Sequence, residues 1–383
     1  MRMLAMISLP SDVSDRLGTI VDVFAAELAA AAEQRMSLLR LLPELALECA
    51  LKSLDRRAIS IISTLAENPS SPAGPLVWYL LTHLYREAAH TGPTARLNVW
   101  ADALTSSIEL DRTIECTPLW NTDVSNVPNP LIVWSVPPAL QEAGLVNSDI
   151  GPSGEREAFV DCCRSAISML SEVSPRLSKS LRQRLRWIVP IAGAKNARNS
   201  FTFLDLPGAV FVGSAENIKL ISELTLHEFL HLILHEVSVV RPLVSSEHEP
   251  VEVYSPWRAD ARPAEGLLHG IYVFSGVLSF WLDRMQTDEY SRDHARHRIS
   301  DLRMQLKLAV ASLECTHLNE IGSRVVAIAK DALVTAFKMG IERECVDATR
   351  SRAEQHLNTW IASHPNTGSD IRSLVRIFES NQA

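Results

Sequence analysis

The chain has 383 residues, of which 46% are hydrophobic and 21% charged. This composition is typical of a globular protein and excludes an intrinsically disordered chain, and the length exceeds the size at which a single hydrophobic core stops growing. The formal net charge of -8 argues against a nucleic-acid-binding protein, which would carry a concentrated basic face. Six cysteines are scattered without a CxxC pair, and no run of about 18 uninterrupted apolar residues is present. We therefore expect a cytoplasmic protein with reduced thiols and no membrane partner.

The first half of the chain has a hydrophobic period close to 3.6 residues, which predicts helices. Residues 1–180 are interpreted as an N-terminal helical region that recognises the substrate, with a first helix opening at Pro10. The stretch from Cys116 to Pro138 carries several Pro and Asn residues. We therefore expect it to be an irregular connection on the surface.

The pattern changes near Trp187, where short apolar runs separated by glycine and proline predict strands. These runs are WIVPI, FTFL and AVFVG, and a strongly apolar helix is predicted to follow them, from Ala215 to about Val240. A second apolar helix is predicted to start at Pro263, and three more helices to fill the tail. The predicted fold is mainly α (α+β), with a small β-sheet packed on a zincin-like HExxH helix. Residues 181–290 would form the metal-binding core and residues 291–383 a C-terminal helical region.

The segment HEFLH, from His227 to His231, is the strongest chemical signal in the sequence. On a helix, residues four positions apart leave the same face, so both imidazoles can bind one divalent ion. Glu228 projects about 100° away around the helix and can flank that ion. The neighbouring residues are apolar, and burying imidazoles there without partners would be costly, whereas a metal supplies partners. The alternative is a pair of core histidines that hydrogen bond to carbonyl groups.

A third ligand must come from outside this helix. The candidate is His269 in RPAEGLLHGIYVF, and its rival is Glu265, one turn earlier on the same face. His235 shares the stripe of the motif histidines but lies about 12 Å along the axis from His227. It is therefore interpreted as a supporting or structural residue.

The combination of HEFLHLILHE with YSPWRADARPAEGLLHGIYVF, within residues 216–281, resembles the HExxH-type, 2-oxoglutarate-dependent peptide β-hydroxylases that modify ribosomally made peptides. The resemblance implies iron(II) as the metal, 2-oxoglutarate and dioxygen as co-substrates, and a precursor peptide as the partner. It also implies that His227, His231 and His269 hold the iron.

The resemblance further implies that Arg258 and Arg262 bind the carboxylate of the co-substrate. This assignment is chemically reasonable, because three protein ligands leave three of six octahedral positions open for a bidentate 2-oxo acid and dioxygen. An arginine fork matches the distal carboxylate better than lysine does. Surface salt bridges are the alternative interpretation of both arginines.

A zinc peptidase is the competing function, because the same first motif serves both chemistries. In a peptidase, Glu228 would deprotonate a zinc-bound water that attacks a peptide carbonyl. In a hydroxylase, Glu228 would instead orient a ligand or hold the substrate. A peptidase would favour Glu265 as the third ligand and would have no need of the paired arginines.

Overall fold

The computed structural model describes residues 15–49, 51, 53–68, 71, 73–91, 95–119, 129–135, 153–191, 199–213, 217–245, 252–313, 316–364 and 371–379. This part of the chain is mainly helical, with 13 helices and a small mixed sheet of five strands, which confirms the predicted fold class. The predicted start of the first helix at Pro10 lies outside the described residues.

The helices within these ranges are, in chain order, α1 (Arg16–Asp22), α2 (Ala25–Glu48), α3 (Arg56–Glu67), α4 (Gly74–Thr91), α5 (Ala95–Thr113), α6 (Ser153–Val173), α7 (Pro175–Arg184), α8 (Ile218–Val240), α9 (Ala264–Thr287), α10 (Arg292–Ser312), α11 (Glu320–Lys338), α12 (Arg343–Ser363) and α13 (Ile371–Glu379). The strands are β1 (Cys116–Pro118), β2 (Leu131–Val133), β3 (Trp187–Ile191), β4 (Ser200–Thr202), β5 (Ala209–Gly213), β6 (Glu252–Val253) and β7 (Arg262–Pro263). Four helices follow residue 291, where three were predicted.

The chain divides into two compact units. The sheet unit contains Phe24–Met169 and Lys179–Leu243, and the helical unit contains Met1–Val23, Leu170–Ser178 and Val244–Ala383. The HExxH helix α8 belongs to the sheet unit, and α9, which carries His269, belongs to the helical unit.

The five-stranded sheet has the order β1-β2-β3-β5-β4. The three central strands are parallel, and the edge strands β1 and β4 are antiparallel to their neighbours. The strands β1 and β2 lie within the segment predicted to be an irregular connection, so that prediction was wrong for residues 116–118 and 131–133. All three residues of β2 are buried, because this strand pairs with β3 inside the sheet.

Alternation along the strands places side chains on both faces of the sheet. Trp187, Val189 and Phe211 belong to a large apolar cluster that contains buried residues of α2 to α5. Successive side chains of a strand point to opposite faces, so the neighbouring residues Ile188 and Val210, which are also fully buried, face the other side. The helix α8 packs against β5 and β4, the last two strands at one side of the sheet.

The helical unit is organised around α9, which packs against α10 and α11. The helix begins at Ala264 with Pro263 as its N-cap, one residue later than predicted. A second apolar cluster in this unit includes Tyr254, Leu308 and Trp360.

The helix α9 is long and apolar enough, by length and composition alone, to cross a membrane. In the sequence, Glu265 and His269 interrupt its apolar run, so no membrane span was predicted there. Most of the helix is buried inside the molecule, as the core helices of water-soluble proteins also are. The helix therefore does not assign a location, and the cytoplasmic address stays a prediction.

Candidate metal centre

The HExxH helix starts with a side-chain cap. The Asn217 side chain accepts a hydrogen bond from the backbone N–H of Leu220, and the helix ends before Arg241, which precedes a proline. Between residues 221 and 237, every position is buried except His227, His231 and His235. The three histidines therefore form a stripe along the one accessible line of this otherwise buried middle part of the helix. We call these three residues the histidine stripe.

Neighbouring rings of the histidine stripe are close to one another. The ring centroids of His227 and His231 lie 4.9 Å apart with the planes at 68°. Those of His231 and His235 lie 6.0 Å apart with the planes at 30°, and a ring nitrogen of each is within 4.8 Å of the other. Two nitrogens bound to one ion at roughly 2.0–2.1 Å are about 3 Å apart, so metal binding requires the rings to rotate towards a common point.

The stripe therefore offers two candidate ligand pairs that share His231. The first pair, with His227, is the one that the motif predicts. The second pair, with His235, was not predicted, although His231 and His235 have the same four-residue spacing as the motif histidines. That repeated spacing is the signal that identifies it.

Glu228 is nearly completely buried, with 2% of its surface exposed. The Ser200 hydroxyl of the edge strand β4 donates a hydrogen bond to its carboxylate, and Glu228 Oε1 lies 3.9 Å from His227 Nε2. Burial raises the pKa of Glu228 to about 7, and the Ser200 hydrogen bond counteracts part of that shift. A divalent cation held beside His227 would act in the same direction as Ser200, because a nearby positive charge favours the carboxylate.

His235 has a distinct environment at the far end of the stripe. Burial lowers its pKa to about 4, and the negative charge of Asp205 opposes this shift. Asp205 lies in the turn after β4, where its carboxylate accepts a hydrogen bond from Arg86 at 2.6 Å and lies 3.6 Å from His83 Nε2. A neutral imidazole is the form that binds a metal, and a carboxylate in its surroundings is the usual supporting group.

In the helical unit, His269 lies on α9 next to Gly270, where the side chain of Trp257 packs closely against the helix. A Cβ atom on Gly270 would lie 2.9 Å from the Trp257 ring, so this indole packs directly on the helix backbone next to His269. The same indole stacks on Phe274 and donates a hydrogen bond to Gln305. Glu265 is in the first turn of α9, and nothing within the helical unit decides between it and His269 as the third ligand.

The two arginines predicted to bind the co-substrate both lie close to the carboxylate of Asp260, which belongs to the same unit. Arg258 Nε lies 2.8 Å from one oxygen of Asp260, and Arg262 Nε lies 3.5 Å from the other. The hydrogen bond from Arg258 is the largest of the effects that lower the pKa of Asp260. Both arginines are partly exposed, so an incoming carboxylate can reach them, but it must compete with Asp260. This partner was not predicted from the sequence, although Asp260 stands between the two arginines in WRADARP.

No protein-family model matches this chain, and no curated protein matches it with significant similarity. The resemblance to peptide hydroxylases therefore depends on the motif residues alone, and the identity of the metal, the co-substrate and the peptide remain proposals.

Proposed function

We propose that this protein is a metal-dependent enzyme whose ion is held by imidazoles of α8. Within that class we propose an iron(II)- and 2-oxoglutarate-dependent oxygenase that hydroxylates the β-carbon of a residue in a ribosomally made peptide. The observation that carries the proposal is the histidine stripe, in which the three accessible positions between residues 221 and 237 of α8 are all imidazoles. A buried helix that merely needed satisfied core residues would have no reason to place its accessible positions on metal-binding side chains.

The donor set fits a borderline divalent cation. Imidazole nitrogens suit iron, zinc, copper and nickel, so the stripe by itself leaves the metal open, and the resemblance is what favours iron. Iron bound there would supply the activation of dioxygen that accompanies oxidative decarboxylation of 2-oxoglutarate to succinate and carbon dioxide. His269 remains the third ligand that the sequence predicts, and Glu265 remains its rival.

The residues of the chain have separate tasks in this proposal. His227 and His231 hold the ion, and Glu228, which accepts a hydrogen bond from Ser200, orients a ligand or holds the substrate. Arg258 and Arg262 would orient the distal carboxylate of 2-oxoglutarate once Asp260 is displaced.

A zinc peptidase is the second candidate, and the position of Glu228 favours it. The carboxylate is beside His227, with 3.9 Å between Oε1 and Nε2, where a general base for a metal-bound water would lie. The paired arginines have no assigned task in this alternative.

The deciding experiment uses the full-length protein with a precursor peptide encoded near its gene. Metal-free protein is loaded with iron(II) without oxygen, or with zinc, and then given 2-oxoglutarate, air and the peptide. Succinate is quantified, and the peptide is analysed by mass spectrometry for one added oxygen or for cleavage. We expect iron-dependent succinate together with a peptide that has gained one oxygen atom.

The variant Glu228→Gln separates the two candidates further. In a peptidase this change removes the general base and abolishes cleavage, whereas in an oxygenase it leaves succinate formation measurable. Zinc-dependent cleavage without succinate would replace the oxygenase proposal with the peptidase. Failure of both reactions, together with no retention of either metal, would contradict the metalloenzyme itself.

A further inference from the structure

The sheet unit contains a cavity of about 540 Å³ whose wall carries three arginines. Arg35 comes from α2, Arg184 from the last turn of α7, and Arg186 from the residue before β3. The size is within the range of about 300–1,000 Å³ that small-molecule sites occupy. The cavity does not include any residue of the histidine stripe.

Two of these arginines are held by one buried carboxylate. Glu236, 8% exposed, lies on α8, and a single oxygen of its side chain is 2.7 Å from Arg184 and 3.3 Å from Arg35. The single negative charge of Glu236 therefore balances only one of the two positive charges. The other acidic residue of the wall is Glu67, which is exposed at the end of α3. The wall as a whole carries three positive and two negative side chains, one of the latter on the solvent side.

Arg186 has no carboxylate within salt-bridge distance among the described residues. Its guanidinium donates hydrogen bonds to the backbone carbonyls of Arg182 and Gln183. Burial lowers the pKa of Arg186 to about 10; the charge of Glu236 opposes this shift, and the charges of Arg184 and Arg35 add to it. The guanidinium is thus held close to two like charges, an arrangement that an anion stabilises.

The local backbone keeps Arg186 in place. Gly208 has a positive φ of 84°, and its carbonyl accepts hydrogen bonds from the backbone N–H groups of Arg186 and Trp187. A Cβ atom on Gly208 would lie 2.8 Å from Arg186 Cγ, so the turn leaves room for the arginine stem only because the residue is glycine. The wall also includes the apolar side chains of Met36, Pro75 and Trp78.

We propose that this cavity binds an organic anion, with a carboxylate or phosphate group on Arg186 and the apolar part against Met36 and Trp78. A planar guanidinium with five N–H donors is the group that recognises such oxyanions with two parallel hydrogen bonds. The site is independent of the proposed metal centre, because it needs neither the ion nor the co-substrate arginines. Carboxylates and phosphates share this chemistry, and the experiment separates them.

The test measures the binding of inorganic phosphate and of succinate to the full-length, chelator-treated protein by isothermal titration calorimetry at fixed ionic strength. Succinamide serves as the neutral control ligand. We expect saturable binding of at least one anion and none of succinamide. The variant Arg186→Gln should weaken binding by about tenfold or more, the cost of one charge-assisted contact. Arg182→Gln, an exposed neighbour outside the cavity wall, should bind like the native protein.

A second pair of variants keeps the test decisive if Arg186→Gln does not fold. Ala32 is an exposed wall residue on α2, so both Glu and Lys are tolerated there by the helix. Ala32→Glu should weaken anion binding by roughly threefold and Ala32→Lys should strengthen it similarly, because a charge near the ligand acts through solvent. Tighter binding of phosphate or of succinate assigns the ligand class. Absence of saturable binding, or affinities that none of the cavity variants changes, would overturn the proposal.

Discussion

His231 is the residue on which both candidate ligand pairs of the histidine stripe depend. Replacing it with Ala should therefore lower metal affinity by more than the 10–100-fold that loss of a supporting partner costs. His227→Ala should have an effect of the same size, because the motif pair is the proposed one. His235→Ala should weaken binding only within about 10–100-fold, as expected of a residue beside the ion. Metal content after dialysis and competition with a chromogenic chelator measure all three.

The same panel decides between the two pairs. If His235→Ala released the metal and His227→Ala retained it, the ion would be held by His231 and His235, and the motif assignment would be wrong. His83→Ala provides the control, since this histidine is close to Asp205 but lies on α4, outside the stripe. It should leave metal content unchanged.

The Asp260 carboxylate competes for the arginines that are proposed to bind 2-oxoglutarate. Asp260→Ala should free Arg258 and Arg262 and lower the apparent KM for 2-oxoglutarate by up to about fivefold, the equivalent of an exposed ion pair worth ~1 kcal/mol. Arg258→Ala should raise the KM with little effect on iron content. Succinate formation across a range of 2-oxoglutarate concentrations measures both.

A matched control for Asp260 is Glu252→Ala, an exposed acidic residue on the neighbouring strand β6. It should leave the KM unchanged. The assignment of these arginines would fail if Asp260→Ala and Arg258→Ala both had the KM of the native protein.

At the level of elements, α9 is held to the segment before it by the contact between Gly270 and Trp257. Gly270→Ala would place a methyl group 2.9 Å from the indole, so it should destabilise the fold by about 1–3 kcal/mol, the usual cost of overpacking. Gly266→Ala lies on the same helix with only Arg262 Cδ at 4.0 Å, and it should stabilise by roughly 0.5–1 kcal/mol through helix propensity.

Unfolding by urea, followed by circular dichroism, measures both glycine variants. Opposite signs for the two substitutions would show that the indole, and not the loss of glycine as such, causes the destabilisation. Equal effects would contradict the close contact.

The elements also show how far periodicity predicts local structure. The strands β3 and β5 were predicted with the observed bounds, because WIVPI and AVFVG are apolar runs delimited by glycine and proline. The strands β1 and β2 were missed because each has three residues, too few for a pattern, and prolines and asparagines surround them. Their strand conformation comes from pairing with each other and with β3.

On the scale of the whole molecule, the division into units differs from the linear segmentation that the sequence suggested. The predicted core of residues 181–290 contributes its first part to the sheet unit and its last part to the helical unit. Residues 170–178 belong to the helical unit, whereas the segments before and after them belong to the sheet unit. Hydrophobic periodicity is a local property and does not predict which unit a segment joins. The net charge of -8 likewise gave no hint of the three-arginine cavity, because composition does not record where charges lie.

The sequence by itself determined the helical character of the protein, the HExxH helix and the common face of its histidines, since these depend on a period of 3.6 residues over neighbouring positions. Tertiary structure alone decided that Ser200 donates a hydrogen bond to Glu228 and that Glu236 forms ion pairs with two arginines. It also brought Asp205 close to both His83 and His235. These partners are separated by many residues along the chain, and the folding of helices onto a sheet, which no local pattern encodes, sets their distances.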